Sequence, residues 1–361
     1  MPIQLTLCGH PLELEVLAGR GATSSVWRCR RLNDVGGLCA LKVGQSLAAR
    51  GILAEEAERL VWGNSPTLPR LLGAGVLPGA ALGDDAPQDA PFLLLEWVSG
   101  TTLQSFLSSG ASLSERDWLC ITGDLAVALA NLHAAGIAHG DIKPENVMLT
   151  QRHEGRWGAV LLDMGLSAAA DLAVPRGATL RYLAPECLSG DPLSDGRTRD
   201  LWALGIVLAE CVDPRCRTLE PSAIAQAVRC WAGLGEVIRP LLSNSPGARP
   251  PASWVELQTN ARLGTKLSNA DLALRRHARI KRAYLDARRS ELTTAAHSLH
   301  FAITADGIAR DWIEQCLELL QGIDRIRGLQ RRGESYAIVD LGSLARLRFL
   351  VELVGSVAAS W

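Results

Sequence analysis

Lysine is scarce in this chain of 361 residues: of its 37 basic residues only Lys42, Lys143, Lys266 and Lys281 are lysines. Arginine serves wherever a generic positive charge suffices. Each lysine therefore stands out as a place where a compact ammonium, not a planar fork, is needed. The nine cysteines (8, 29, 39, 120, 187, 211, 216, 230 and 316) include no Cys-x-x-Cys pair, and their number is odd. That excludes a disulfide framework and a cysteine zinc site, and fits reduced thiols in a cytosol. No apolar run is long enough for a membrane span, for which about 18 residues are needed. The longest, 201–212 and 349–361, carry Glu210 and Glu352. Met1-Pro2-Ile3-Gln4 begins no basic-then-apolar leader, so no signal peptide is expected. A net charge of −1 gives the whole molecule no bias toward nucleic acid or membrane surfaces. The charge is uneven, however: residues 261–361 hold 16 basic and 11 acidic side chains, which leaves 21 and 27 for residues 1–260.

Among what is present, residues 138–149 organise the rest. A helix-periodic apolar run (118–132) leads into Ala138-His139-Gly140-Asp141-Ile142-Lys143-Pro144-Glu145-Asn146, and Val147-Met148-Leu149 reads as a strand. A polar loop between two apolar elements is accessible and rigidly positioned, which suits chemistry. A carboxylate can accept a proton from an attacking hydroxyl, an ammonium can neutralise phosphate charge, and an amide oxygen can bind Mg²⁺. A plain solvated loop is the alternative for this motif taken alone.

The preceding chain reads as strands. Leu12-Glu13-Leu14-Glu15-Val16-Leu17 alternates, and Ser25-Val26-Trp27-Arg28-Cys29 and Leu38-Cys39-Ala40-Leu41-Lys42-Val43 follow. Gly19-Arg20-Gly21-Ala22-Thr23-Ser24 joins the first two. Its glycines can present N–H groups to a phosphate, or simply make a hairpin turn. Residues 48–62 read as a helix whose Glu55, Glu56 and Glu58 include a partner for Lys42, or else line a solvated face. Residues 69–72 and 92–98 read as strands. The stretch 77–91, rich in Gly, Ala, Asp and Pro, reads as a flexible surface insertion. Ser112 and Ser114 are N-cap candidates for the helix at 118–132. The chain is β-rich to about residue 98 and α-rich afterwards, which predicts two lobes with a cleft at their junction. Residues 159–162 read as a buried strand ending in Asp163-Met164-Gly165, whose carboxylate is a second Mg²⁺ ligand candidate.

Together these residues resemble the eukaryotic-type (Hanks-type) serine/threonine protein kinase family over roughly residues 12–260. The resemblance implies an α+β, bilobal fold: a β-rich N-lobe (about 12–98), an α-rich C-lobe (about 99–260), then an all-α extension (261–361). Gly19-Arg20-Gly21 with Ser24 and Val26 is similar to the glycine-rich loop, Ser24 standing for its third glycine. Ala40-Leu41-Lys42 resembles the lysine strand and Glu56 best fits the glutamate that holds the lysine, with Glu55 and Glu58 still open. Leu95 falls at the gatekeeper position, and Glu96-Trp97-Val98 at the adenine-binding hinge. His139-Gly140-Asp141 stands for His-Arg-Asp, with Lys143 and Asn146 in step, and Asp163-Met164-Gly165 for Asp-Phe-Gly. Ala184-Pro185-Glu186 resembles the close of the activation segment. Asp200-Leu201-Trp202 with Gly205 resembles the helix that anchors the catalytic loop, and Arg249 the late arginine that pairs with Glu186.

The resemblance implies transfer of the ATP γ-phosphoryl group to a protein serine or threonine. Lys42, held by Glu56, would bind the α- and β-phosphates. Asn146 and Asp163 would hold Mg²⁺, Asp141 would take the hydroxyl proton, and Lys143 would neutralise the moving phosphoryl. Two other readings stand beside it. His-Gly-Asp also occurs in aminoglycoside and choline phosphotransferases, which share the fold but lack the Ala-Pro-Glu, Asp200 and Arg249 apparatus. A pseudokinase scaffold would have lost a catalytic residue, and Lys42, Asp141, Asn146 and Asp163 are all present.

Beyond residue 261 no family is recognised. Runs at 268–298, 304–323 and 340–354 read as three helices that either dock a protein partner or complete the C-lobe core. Arg275-Arg276-His277-Ala278-Arg279-Ile280-Lys281-Arg282 reads as a solvated basic helix face, with nucleic acid or an acidic partner as the less favoured alternative.

Gly140 takes the place of the arginine that clamps a phosphorylated activation segment. The hydroxyls from Asp163 to Glu186 are only Ser167, Thr179 and Tyr182, and the last two fit structural positions. Phosphatase treatment of the purified protein is therefore expected to leave its phosphoryl-transfer rate unchanged. A sharp fall in rate, measured with labelled ATP, would contradict this.

Overall fold

A computed structural model describes residues 3–264 apart from 22, 34–36, 47–48, 50–51, 54–55, 58, 61–64, 78–81, 83–85, 88, 135, 153–154, 165–179 and 189–194, together with strands at 329–332 and 335–338. The described chain divides into two compact units, with a boundary between Trp97 and Val98; residues 62–69 group with the second.

The first unit is built on a six-stranded antiparallel sheet of order β1-β2-β3-β4-β6-β5. Its strands are β1 (Gln4–Leu7), β2 (His10–Arg20), β3 (Ser24–Arg31), β4 (Leu38–Gly44), β5 (Leu71–Val76) and β6 (Pro91–Glu96). In β2, Leu12 and Leu14 point into the core. The alternation then fails: Val16 is 47% exposed. The register with β3 shifts between Leu14 and Val16, and such a bulge turns the following side chains off the inward face. Glu15 accepts Arg28 and Arg30 across the strand pair, and Arg30 holds its carboxyl below the usual range. Residues 52–53, 56–57 and 59–60 are helical, with Leu53, Ala57 and Leu60 buried.

The stretch 77–91 is not a free surface insertion. Leu77, Leu82, Ala86 and Ala90 are buried in one cluster with Leu7, Leu12, Phe92 and Leu94. Its Gly and Pro suit turns, but its small apolar side chains also fill space beside the sheet, and composition alone does not separate the two.

The second unit is mainly helical: α1 (Leu103–Ser108), α2 (Glu115–Ala134), α3 (Pro185–Leu188), α4 (Gly196–Val212), α5 (Pro221–Val228), α6 (Leu234–Leu241) and α7 (Ala252–Leu263). A small sheet of β7 (Thr101–Thr102), β8 (Val147–Gln151) and β9 (Trp157–Leu161) completes it. Gly100 runs so close to β8 that a Cβ there would collide with the Leu149 carbonyl, which explains the glycine. Ser114 caps α2: its hydroxyl accepts from the Asp117 N–H at 3.1 Å, and Glu115 and Asp117 sit in the first turn, where the helix dipole favours acids. Trp118 is buried and donates its indole N–H to the Leu208 carbonyl, tying α2 to α4. Asp124 on α2 accepts the Ala159 N–H at 2.8 Å and the Arg152 guanidinium at 2.6 Å. The β8–β9 hairpin is thereby pinned to α2. Burial raises the Asp124 pKa, and the arginine opposes this. The helix α4 has Asp195 as its N-cap and is buried from Asp200 to Cys211.

The extension after residue 261 is not all helical as expected. Leu329–Arg332 and Ser335–Ile338 form a two-stranded antiparallel hairpin. The three predicted helices at 268–298, 304–323 and 340–354 lie outside the described residues.

Glu186 on α3 and Arg249 before α7 form a buried ion pair of 2.6 and 2.7 Å. The guanidinium also donates to the Ser243 and Thr198 carbonyls and lies 5.1 Å from the Trp202 ring centroid. Removing one partner strands a buried charge. Arg249→Met is expected to destabilise the protein by about 3–5 kcal/mol, with Glu186→Leu/Arg249→Met recovering most of the loss. Urea unfolding midpoints of the two variants test this.

Candidate active site

In the first unit, β-pairing collects the predicted nucleotide-side residues. Val26 faces Lys42, Gly19 faces Val26, and Ala40 faces Leu95. Directly opposed residues share a sheet face, as do residues two apart along a strand, so Gly19, Val26, Ala40, Lys42 and Leu95 lie on one face. Arg20 pairs with Ser25 and falls in the other register. The Gly21 N–H donates to the Ser24 carbonyl at 2.8 Å, closing the hairpin, and Ser24 is buried. Glu96 is exposed; its N–H donates to the Arg70 carbonyl, and its carboxylate accepts from the Arg70 side chain at 3.1 Å.

Lys42 is only 6% exposed, unlike an ordinary strand lysine. Its ammonium donates to both carboxylate oxygens of Glu56, at 2.9 and 2.7 Å. Glu56 is 2% exposed, whereas Glu55 and Glu58 lie outside the described residues. A buried ion pair of this kind fixes an ammonium in one position.

In the second unit the loop 139–146 hangs from a single carboxylate. Asp200, at the start of α4 and 2% exposed, accepts the His139 N–H at 2.7 Å and the Gly140 N–H at 2.8 Å. His133, from the last turn of α2, also reaches Asp200 at 2.9 Å. Gly140 adopts φ +83°, a left-handed conformation that costs other residues roughly 1–2 kcal/mol. His139 is fully buried. Its Nδ1 accepts the Asp141 N–H at 3.3 Å, so Nε2 carries the proton and donates to the Leu162 carbonyl at 3.1 Å. Leu162 in turn donates its N–H to the Asn146 carbonyl at 2.7 Å. The loop thus holds the segment that delivers Asp163, an exposed residue with φ +56°, followed by the buried Met164. A positive φ at a non-glycine position is the type of strain that collects at functional sites.

Within the loop, Asp141 Oδ2 accepts Lys143 Nζ at 2.7 Å and Asn146 Nδ2 at 2.8 Å. Asn146 Nδ2 also donates to the Asp141 carbonyl. These bonds fix the amide and leave Asn146 Oδ1 as an acceptor. Asn146 Oδ1 and the Asp163 carboxylate are hard oxygen donors of the type that suits Mg²⁺. A carboxylate held in this way can take a proton, and an ammonium beside it can offset negative charge.

Before Ala184-Pro185-Glu186, Arg181 donates to Glu210 at 2.6 Å and to the Leu219 and Cys216 carbonyls. The Tyr182 hydroxyl donates to Glu210 at 3.1 Å. Burial raises the pKa of both Glu210 and Tyr182. Gly165, Ser167 and Thr179 lie outside the described residues. Sequence reasoning missed His133, Asp124, Arg152 and the Arg181–Glu210 pair. Only the burial predicted around each offered a signal, because every partner is 28 or more residues away.

Residues 12–223 match the protein kinase domain family, and the chain belongs to it. The chain is 28% identical over 261 residues to "Probable serine/threonine-protein kinase PknB" of Bifidobacterium longum, covering 69% of this chain and 36% of that one. It is 30% identical over 219 residues to serine/threonine-protein kinase PkaA of Streptomyces coelicolor, covering 57% and 39%. The chain thus spans little more than a third of the length of these curated relatives. Among solved structures, Rad53 1-466 in complex with AMP-PNP superposes with a TM-score of 0.50 at 21% identity, over 67% of this chain and 63% of that one. This likeness supports the kinase fold. Among the described residues no helix is long and apolar enough to cross a membrane.

Burial pushes the His139 pKa below its ordinary value. Native His139 therefore stays neutral while the unfolded chain takes up a proton below about pH 6.5, so its contribution to stability is lost as pH falls from there. His139→Gln is expected to remove up to roughly 1.4 kcal/mol per pH unit of that dependence. Urea midpoints compared at pH 7 and pH 5 for both proteins measure it; parallel losses contradict it.

Proposed function

We propose that this chain is an ATP-dependent serine/threonine protein kinase, with residues 12–260 as its catalytic domain. The observation that carries the proposal is the convergence of Lys143 Nζ and Asn146 Nδ2 on Asp141 Oδ2, at 2.7 and 2.8 Å. A lone carboxylate beside an ammonium and an amide whose oxygen remains available is the apparatus phosphoryl transfer needs.

In this reading the hydroxyl of a protein serine or threonine binds at Asp141. Asp141 orients it and accepts its proton as the new O–P bond forms and the bond from the γ-phosphorus to the bridging oxygen of ADP breaks. Lys143 offsets charge on the transferring group. Lys42, fixed by Glu56, holds the α- and β-phosphates. Gly19, Arg20, Gly21, Ser24 and Val26 cover the nucleotide, Ala40 and Leu95 bound the adenine, and Glu96 and Val98 offer it backbone groups. Asn146 and Asp163 would hold Mg²⁺, which supplies neutralisation of phosphate charge. Catalysis runs without phosphorylation of the activation segment, because Gly140 offers no side chain to read it. The Tyr182 hydroxyl, already given to Glu210, supports this. Protein substrates, a partner for residues 261–361 and a cytoplasmic location belong to the same proposal, with no role for membrane or nucleic acid.

Incubation with labelled ATP and Mg²⁺ tests it. Label is expected on the protein itself or on a generic protein substrate. Asp141→Asn and Asp163→Asn are each expected to lower the rate by at least about 10²-fold. Transfer to an aminoglycoside or choline without transfer to protein would replace this reading with a small-molecule phosphotransferase. No transfer at all, from protein that still binds ATP, would replace it with a pseudokinase.

A further inference from the structure

Away from the loop 139–146, a pocket of about 560 Å³ lies between α5, α6 and the turn after α6. Ser222, Gln226, Arg229, Arg239, Asn244 and Ser245 line it, and none of its described lining residues is acidic. Among the described residues, neither guanidinium has a carboxylate partner: the nearby Glu236 is taken by Arg262 at 3.1 Å. Ser245 caps the turn at 246–248 without using its hydroxyl. Arg229 is the C-cap of α5 and Arg239 sits in the last turn of α6. The negative ends of two helix dipoles thus make two like charges tolerable in one pocket when it holds no anion.

We propose that this pocket binds a phosphorylated serine or threonine within a peptide segment. Two arginine forks with hydroxyl and amide donors and no competing carboxylate form the donor set that a tetrahedral phosphate monoester requires. The other candidate anions fit less well. The described lining has no aromatic side chain on which a nucleic-acid base could stack. Among its described lining residues Ala225 and Leu242 are the only apolar side chains, too few to cover an acyl chain. The volume far exceeds a free phosphate and suits a phosphate carried on a larger body. The choice of phosphopeptide rests on the reading of this chain as a protein kinase, which would produce such groups. The pocket also adjoins the turn whose Ser243 carbonyl accepts Arg249 Nε at 2.9 Å, so its occupant touches the support of the Glu186–Arg249 pair.

Fluorescence anisotropy of a labelled peptide carrying one phosphoserine among glycines and alanines, added to the full chain without ATP, tests the proposal. Saturable binding is expected that the unphosphorylated twin lacks and that inorganic phosphate displaces. Arg229→Gln/Arg239→Gln is expected to weaken it about tenfold or more, with an unchanged urea midpoint showing that the variant is folded. Ser222→Glu, which adds a carboxylate to the pocket, is expected to weaken it as well. Equal binding of the unphosphorylated twin, full binding by the double variant, or equal binding of a single-stranded RNA oligonucleotide would overturn it. Because binding is read without ATP and with Asp141→Asn as readily as with the parent chain, its failure is distinguishable from failure of phosphoryl transfer.

Discussion

The second unit depends on the carboxylate of Asp200. It is buried, it stands at the start of a helix that is itself buried, and it accepts two successive backbone N–H groups of the loop at His139 and Gly140. Backbone N–H groups of an irregular loop that are turned away from water, as at the buried His139, must find acceptors, and without one each would cost as much as a lost hydrogen bond. One carboxylate meets both needs and so dictates the path of the chain into Asp141. From there the constraint propagates. His139, held at its N–H, reaches Leu162 with its ring, and Leu162 is held again by Asn146. Asp141, Asn146 and Asp163 thus derive their positions from one anchor, through bonds that each use a polar group otherwise left unpaired.

The first unit solves a different problem with a similar device. Lys42 must present an ammonium from the middle of an apolar sheet, where a free charge is costly. Glu56 offsets that cost with two charge-assisted bonds, at 2.9 and 2.7 Å. The pair adds little net stability for the desolvation it entails. Its effect is positional: a flexible four-carbon stem is held to one geometry. In a chain that otherwise prefers arginine, Lys42 is one of only four lysines, and a compact ammonium meets a buried carboxylate here without the extra donors of a planar fork.

What the sequence made legible follows from the range of each interaction. The strands around Lys42 and the helix expected at 118–132 announce themselves by local periodicity, while of its two candidate N-caps, Ser112 and Ser114, only the structure singles out Ser114. Asp141, Lys143 and Asn146, which the structure joins by hydrogen bonds, and Asp163 stood out because polar groups of those types recur at short spacings within one loop and one strand end. The bulge that exposes Val16 was not legible, because Val16 continues an unbroken alternation and only the partner strand reveals the shift. The packing of 77–91 was hidden for a related reason: alanines and glycines read as loop whether or not a core lies beneath them. Asp124 with Arg152, and Arg181 with Glu210, join distant segments, and no local pattern encodes which charges will meet.

Gly140 meets two constraints at once. Its N–H must reach Asp200, and the backbone that allows this has φ +83°. A residue with a Cβ can be held there only against strain, so a side chain at this position must contribute something in return. In kinases that read a phosphorylated activation segment, an arginine contributes the clamp. Here the segment leading to Glu186 is fastened by other means: Arg181 and Tyr182 converge on buried Glu210, and Arg249 holds Glu186. In the proposed reading those bonds do the work that a phosphate-reading arginine would otherwise do. The unstrained glycine is then the more stable choice, and its presence and the fixed anchorage after it are two expressions of one solution.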